Sequence, residues 1–291
     1  MPSPSLAVIG GSGLYDIEGF TDWEDVEIDT PFGRPSDAIT VGKIEEICVA
    51  FLPRHGRGHR LMPTEIPAHA NIYALKKLGV KQIVSVSAVG SLKEEIEPLD
   101  MLVPDQIIDR TRSRSNTFFG QGIVAHIGFA DPFCAALSAQ LADVAAETGA
   151  TVHRGGTYVV MEGPAFSTRA ESQLYRSWGA SVIGMTALPE AKLAREAEMC
   201  YATLALVTDY DCWHESEDHV SVELVIANLM KNVDKSKQVI RGIAQRVNGT
   251  AGAECSCQSA LKDAIITSPS VFTDEAREKL GLLINKYVNS K

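Results

Sequence analysis

Two carboxylates, Asp209 and Asp211, stand two residues apart where the apolar run Tyr201 to Val207 ends. If that run is a strand continuing past Val207, alternation with period two projects both carboxylates to one face. A like-charged pair at the mouth of a buried strand is costly unless something uses it. One use is to hold a proton for a basic ring nitrogen, because a neighbouring carboxylate raises its partner's pKa. A solvated turn after the strand accounts for the same residues.

Chemistry-bearing residues also follow other apolar runs: Gly11-Ser12-Gly13, Arg54-His55, Ser87-Ala88, Glu162 and Met185-Thr186. The glycine-rich turn could cradle an anion on backbone N–H groups. It lacks the third glycine of a dinucleotide fingerprint and the Gly-Lys-Ser/Thr of a P-loop. Arg54-His55-Gly56 offers a planar fork and a second donor for phosphate, within a segment that also holds Arg57, His59 and Arg60. The hydroxyls of Ser12, Ser87 and Thr186 would complete such a shell, although each also suits a turn or a cap.

The elements that must carry these residues read as alternating strands and helices. Strands are predicted at Leu6–Ile9, Ile47–Leu52, Gln82–Ser87, Thr157–Met161, Val182–Ile183 and Tyr201–Val207. Helices are predicted over Glu65–Leu78, Phe133–Thr148, Thr168–Trp178 (opened by a Thr168/Glu171 capping box), Leu188–Met199 and from Ser221 to about Val247. Two more are predicted near Ser259–Ile266 and Asp274–Tyr287. This alternation implies an α/β layer fold, in which ligands sit beyond the carboxyl ends of strands. Val222, Val225, Ile226 and Leu229 form one helical stripe, which by default packs into a core.

At 291 residues with a formal net charge of −10, the chain is large enough for one sizeable α/β domain. Such a charge argues against a general nucleic-acid or membrane-surface binder. No stretch reads as a bilayer span and the N-terminus does not read as a signal peptide, so a cytoplasmic protein is expected. Of the six cysteines, Cys255-Ser256-Cys257 stands out. A zinc site needs a second ligand pair; none is visible at suitable spacing, so no metal is expected. A redox-active pair near the C-terminus stays open, as do the redox state and pairing of Cys134, Cys200, Cys255 and Cys257.

Eight collinear motifs together carry a family resemblance: Ile9-Gly-Gly-Ser-Gly-Leu14, Thr30-Pro-Phe-Gly33, Arg54-His-Gly-Arg57, Ala70-Asn-Ile-Tyr-Ala-Leu75, Glu162-Gly-Pro164, Ser167-Thr-Arg-Ala-Glu171, Gly184-Met-Thr186 and Thr208-Asp-Tyr-Asp-Cys-Trp213. In these the chain resembles the 5′-methylthioadenosine phosphorylases, trimeric members of the purine nucleoside phosphorylase family, from about Leu6 to Val247. The resemblance implies one domain, residues 1–291, with a mixed, partly barrel-like central β-sheet flanked by helices and a helical C-terminal segment from about residue 250. It implies a phosphate site from Ser12, Arg54, His55, Ser87, Ala88 and Thr186. Met185 would meet the ribose, Phe166 the purine face, and Ser167, Asp209 and Asp211 the purine edge, with the two aspartates catalytic. Val220, Val222, Val225 and Ile226 would line the 5′-methylthio pocket, joined by His59, Pro63 and His126 from an adjacent subunit. Also implied are phosphorolysis of methylthioadenosine, inorganic phosphate as co-substrate with no cofactor, and a homotrimer or dimer of trimers. A phosphorylase of broader or 6-oxopurine preference is the alternative.

Overall fold

The computed structural model describes residues 3–11, 17–214, 222–249 and 255–288. Its strands are β1 (Leu6–Gly10), β2 (Phe20–Val26), β3 (Ile39–Ile44), β4 (Ile47–Pro53), β5 (Gln82–Ser91), β6 (Met101–Val103), β7 (Gln106–Arg110), β8 (Val152–Arg154), β9 (Thr157–Met161), β10 (Val182–Gly184) and β11 (Cys200–Asp209). The helices are α1 (Ala68–Lys77), α2 (Ala135–Glu147), α3 (Arg169–Ser177), α4 (Glu190–Glu196), α5 (Val222–Gly249) and α6 (Asp274–Val288). All 11 strands join one mixed sheet, ordered β2-β3-β4-β1-β5-β10-β9-β7, with β11, β6 and β8 branching from β5. The sheet does not close into the partly barrel-like form expected: β2 and β7 end the path and β8 ends the branch.

The heart of the sheet is parallel, β4 against β1, β1 against β5 and β5 against β11. Buried parallel strands read as continuous apolar runs because both faces are covered. Here successive residues alternate between two cores. Ile9, Leu52, Ile83 and Val207 pack with α1, α4 and α6. Val8, Phe51, Val84 and Leu206 pack with α2 and the Val239–Val247 stretch of α5. The four strands therefore point their carboxyl ends the same way.

Several boundaries differ from expectation. Helix α1 begins after Pro67, since the residue before a proline disfavours helical backbone. Strand β5 does not break at Ala88 but runs on to Ser91, because its far half pairs with both β10 and β11. The helix expected near Ser259–Ile266 is a single 3-10 turn, Ser256–Ser259. The charged strand β2 escaped detection; it is an edge strand whose middle residues face solvent. The Thr168/Glu171 capping box forms as the sequence indicates. Cys255 and Cys257 meet partners that spacing did not reveal: Cys134, before α2, and Cys200, at the start of β11.

Candidate active site

Four strand ends assemble the chemistry. Arg54 follows β4 and its amide donates to Gly10 at the end of β1. Ser87 and Gly90 lie on the far half of β5, where Ala205 pairs with Ser87 and Asp209 with Gly90. Three residues along a strand span about 10 Å, so the Ser87 and Asp209 ends of the row are separated by roughly a nucleoside's length. Ser12 and Val220 lie outside the described residues, as does the side chain of Val222.

The Arg54 fork does not face an open site. It is buried to 2% exposure. Nε and Nη2 donate to Glu190 at the start of α4, Nη2 also donates to Ser85 Oγ (2.7 Å), and Nη1 donates to Val86 O (3.1 Å). Of five guanidinium hydrogens, at most one on Nη1 remains for an incoming oxygen. Burial alone would pull the guanidinium's pKa down, and the Glu190 charge overcomes it and holds the value above its ordinary level. Arg54 is thus a charge fixed in place by Glu190. The sequence reading missed Glu190; its one signal was an acid directly after Leu188-Pro189, at the first position of a short helix.

His55 is also buried, and its Nδ1 lies 2.8 Å from Leu61 O. A carbonyl only accepts, so Nδ1 carries the hydrogen and Nε2 is left as an acceptor. Burial, reinforced by Arg54, pushes its pKa down to about 4. The ring is neutral at neutral pH and suits the hydroxyl of a hydrogen phosphate. Because the unfolded chain takes up this proton near pH 6.5 and the folded chain only near 4, the associated stability is complete above about 6.5 and is lost as pH falls toward 4. Urea midpoints at pH 7 and pH 5 should fall further for wild type than for His55→Asn; equal losses would show that His55 is not the titrating group. His59, assigned by resemblance to a neighbour's site, stacks on His55 of its own chain at 4.2 Å between centroids.

Ser87 and Thr186 bring their hydroxyls to 2.8 Å from one another, so two hydroxyls distant in sequence form one polar edge. Ala88 is the next residue of β5. Met185 is held by its backbone: Arg114 Nη1 donates to Met185 O and to Leu188 O (2.6 Å), while Nη2 donates to Glu162 O (2.6 Å). Arg114 was not singled out from sequence; it clamps the loops that follow β9 and β10. Glu162, one of the strand-end acids, accepts from the amides of Arg112 and Ser113 and is a loop staple.

Asp209 and Asp211 do not share a strand face. The strand ends at Asp209, and Asp211 turns into left-handed backbone at φ 51°. The Asp211 amide donates to Asp209 Oδ1 (2.8 Å) and the Thr208 hydroxyl to Asp209 Oδ2 (2.7 Å). So the link expected between two charges runs through an amide, and burial raises the Asp211 carboxyl above its usual range. Gly90 makes room for both: a Cβ there would sit 2.9 Å from Asp209 Oδ1. Helix α5 is tied to this corner by Asn228, whose amide donates to Thr208 O (2.8 Å).

The Phe166–Ser167 loop reaches the same corner, since the Cys212 thiol donates to Ser167 O (3.3 Å). Phe166 is 45% exposed, an aromatic face with room for a planar ligand. On α5, Val225 is half-buried while Ile226 is 53% exposed. Pro63 is half-buried in the loop after His59. His126 lies apart, in a groove with Phe129, Lys192 and Glu196. A surface cavity of about 710 Å³, lined by Phe32, His69 and Lys279 among others, contains none of the strand-end residues. The chemistry belongs to the β5 edge and not to that cavity.

A parallel core whose carboxyl edge sets a fixed guanidinium and paired hydroxyls near a buried acid has the parts of an enzyme that attacks with phosphate. The chain belongs to the Phosphorylase superfamily, whose family model it matches over residues 5–245. It is 59% identical over 284 residues to the S-methyl-5′-thioadenosine phosphorylase of Geobacter sulfurreducens, covering 97% of this chain and 99% of the relative. To that of Thermosynechococcus vestitus it is 58% identical over 286 residues, covering 97% and 99%. The crystal structure of a methylthioadenosine phosphorylase from an Antarctic soil metagenomic library superposes with a TM-score of 0.92 at 50% identity, covering 97% of this chain and 99% of that one. A Schistosoma mansoni methylthioadenosine phosphorylase in complex with adenine gives 0.84 at 32% identity, covering 90% and 99%.

Proposed function

We propose that this protein catalyses the phosphorolysis of 5′-methylthioadenosine to adenine and 5-methylthioribose 1-phosphate. One observation carries the reading: Arg54, held by Glu190, follows β4 and Asp209 ends β11, both at the carboxyl ends of the single parallel set β4-β1-β5-β11. Phosphate oxygen forms a bond to the anomeric carbon as the bond to the purine nitrogen breaks. Positive charge develops on the sugar, as in other glycosyl transfers. The bond's electron pair leaves with the purine, which a proton at N7 keeps from becoming an anion. Asp209 carries that proton, a step typically worth about 10²–10⁴-fold. Its carboxylate also suits the 6-amino group of adenine, whereas a 6-oxopurine calls for a donor.

Arg54 through its last Nη1 hydrogen, His55 through Nε2, Ser12, Ser87, Thr186 and the Ala88 backbone hold the nucleophile in line, an orientation effect worth several kcal/mol. Met185 and Phe166 address ribose and purine, Ser167 and Asp211 the purine edge. Val220, Val222, Val225 and Ile226 receive the methylthio group. Inorganic phosphate is the co-substrate, and this chemistry needs no organic cofactor. Residues 1–291 act as one domain in this reading. His59, Pro63 and His126 complete a neighbouring copy's pocket in a homotrimer; the exposed position of His126, outside the β5 cluster, supports that role. No described helix is long and apolar enough to cross a membrane, and we assign the enzyme to the cytoplasm.

The test follows adenine release by ultraviolet absorbance from methylthioadenosine, adenosine and inosine, with and without phosphate. Release should require phosphate and be greatest for methylthioadenosine. Equal or greater turnover of inosine would overturn the substrate assignment, and phosphate-independent release would overturn phosphorolysis.

A further inference from the structure

Cys134, Cys200, Cys255 and Cys257 come from three separate parts of the sequence, yet their four Sγ atoms all lie within 4.8 Å of one another. Three of the four are buried and Cys255 is half-buried. Cys134 and Cys255 approach to 3.6 Å. A tetrahedral zinc thiolate with bonds of about 2.3 Å separates its sulfurs by about 3.8 Å, whereas a disulfide needs about 2.05 Å. The four thiols have the mutual spacing of ligands around one ion.

We propose that these cysteines form a structural tetrathiolate site for a single borderline-soft divalent cation, of which zinc is the type. Binding replaces four S–H bonds with four S–metal bonds and releases four protons, which leaves a complex of net charge −2. All four positions of the tetrahedron are filled by protein, so no open position remains for chemistry. The site is also remote from the reaction. Cys200 begins β11 and Asp209 ends it, nine residue steps or about 30 Å apart.

What it holds is a crossing of the sheet. Cys257 packs in the core beneath α2 and α5, while Leu261 and Ala264, a few residues on, pack in the opposite core with α6. The chain passes around the amino ends of the strands at this point with only one short 3-10 turn. A metal would fix that passage and with it the docking of α6. The proposal does not depend on the substrate assignment.

The test is the metal content of the native protein, expressed in zinc-supplemented medium and purified without chelators or a metal-binding tag. About one zinc per chain is expected, released by a mercurial reagent as four thiols are titrated. Exchange for Co²⁺ should produce the intense visible bands of tetrahedral cobalt thiolate. Cys255→Ser/Cys257→Ser should lower zinc to under about 0.1 per chain and lower the thermal midpoint, with kcat at 25 °C within about two-fold of wild type. A folded native protein with no bound metal and no cobalt thiolate spectrum overturns the proposal, whether its cysteines are free or joined as two disulfides. Should the double variant fail to fold, the native metal and cobalt measurements decide alone.

Discussion

Replacing Asp209 with Asn lowers kcat/KM for methylthioadenosine by about 10²–10⁴-fold at neutral pH, the usual worth of a positioned general acid. The substitution is nearly isosteric. It keeps Oδ1 for the Asp211 amide, now at 2.8 Å, while the new Nδ2 takes the place of Oδ2 beside the Thr208 hydroxyl (2.7 Å) and can donate to it, with that hydroxyl donating to Val89 O instead. The corner should therefore stay in place, and the thermal midpoint should change little. What disappears is the exchangeable proton. The new amide can donate to a 6-oxo group, so inosine should lose much less than methylthioadenosine, and the ratio of the two rates should shift toward inosine. Steady-state rates on both nucleosides at saturating phosphate measure this. A loss on methylthioadenosine of under about two-fold removes the acid role from Asp209.

Glu190→Ala is the second large effect, and it reaches stability as well as rate. The substitution leaves the Arg54 guanidinium 2% exposed and without its counter-charge. Removing one partner of a buried pair typically costs about 3–5 kcal/mol, because the surviving charge is stranded. The Tyr201 hydroxyl, 3.0 Å from Glu190, loses its acceptor too. In the folded fraction Arg54 is free to swing, so KM for phosphate should rise while KM for the nucleoside changes less. Glu190→Gln, which keeps the shape and some hydrogen bonds, should fall between the two. Denaturant midpoints and the two KM values are the readouts. An alanine variant as stable as wild type would show that Glu190 does not hold Arg54. A rise in both KM values together would mean a general disturbance, not a positioning role.

These two residues mark how far the sequence could be read. Asp209 was visible because it closes a long, mostly apolar run beside a second acid, and that pattern survives in any neighbourhood. The geometry drawn from it was wrong in one respect. Alternation holds only while backbone pairing continues, and at Asp211 the chain has already left the strand. Glu190 was invisible for the opposite reason: one acid in a short helix looks like a solvated face until the fold buries it to 1% exposure against a residue 136 positions earlier.

The same division runs through the cysteines and the sheet. Leu6–Ile9, Ile47–Leu52 and Tyr201–Val207 were legible as buried strands, since hydrophobic content within a short window decides that much. So were the glycine-rich turn, the basic segment from Arg54 to Arg60 and the Thr168/Glu171 cap, all of them local chemistry. Which strands would be neighbours, and therefore that Arg54, Ser87 and Asp209 would share one edge, is set by pairing between segments far apart in the chain. Cys255-Ser256-Cys257 shows only half of a cluster along the chain, because its partners arrive from the start of one helix and the start of one strand. Local composition determined the parts; which part meets which was settled by burial, since only the assembled core removes apolar surface and lone charges from water together.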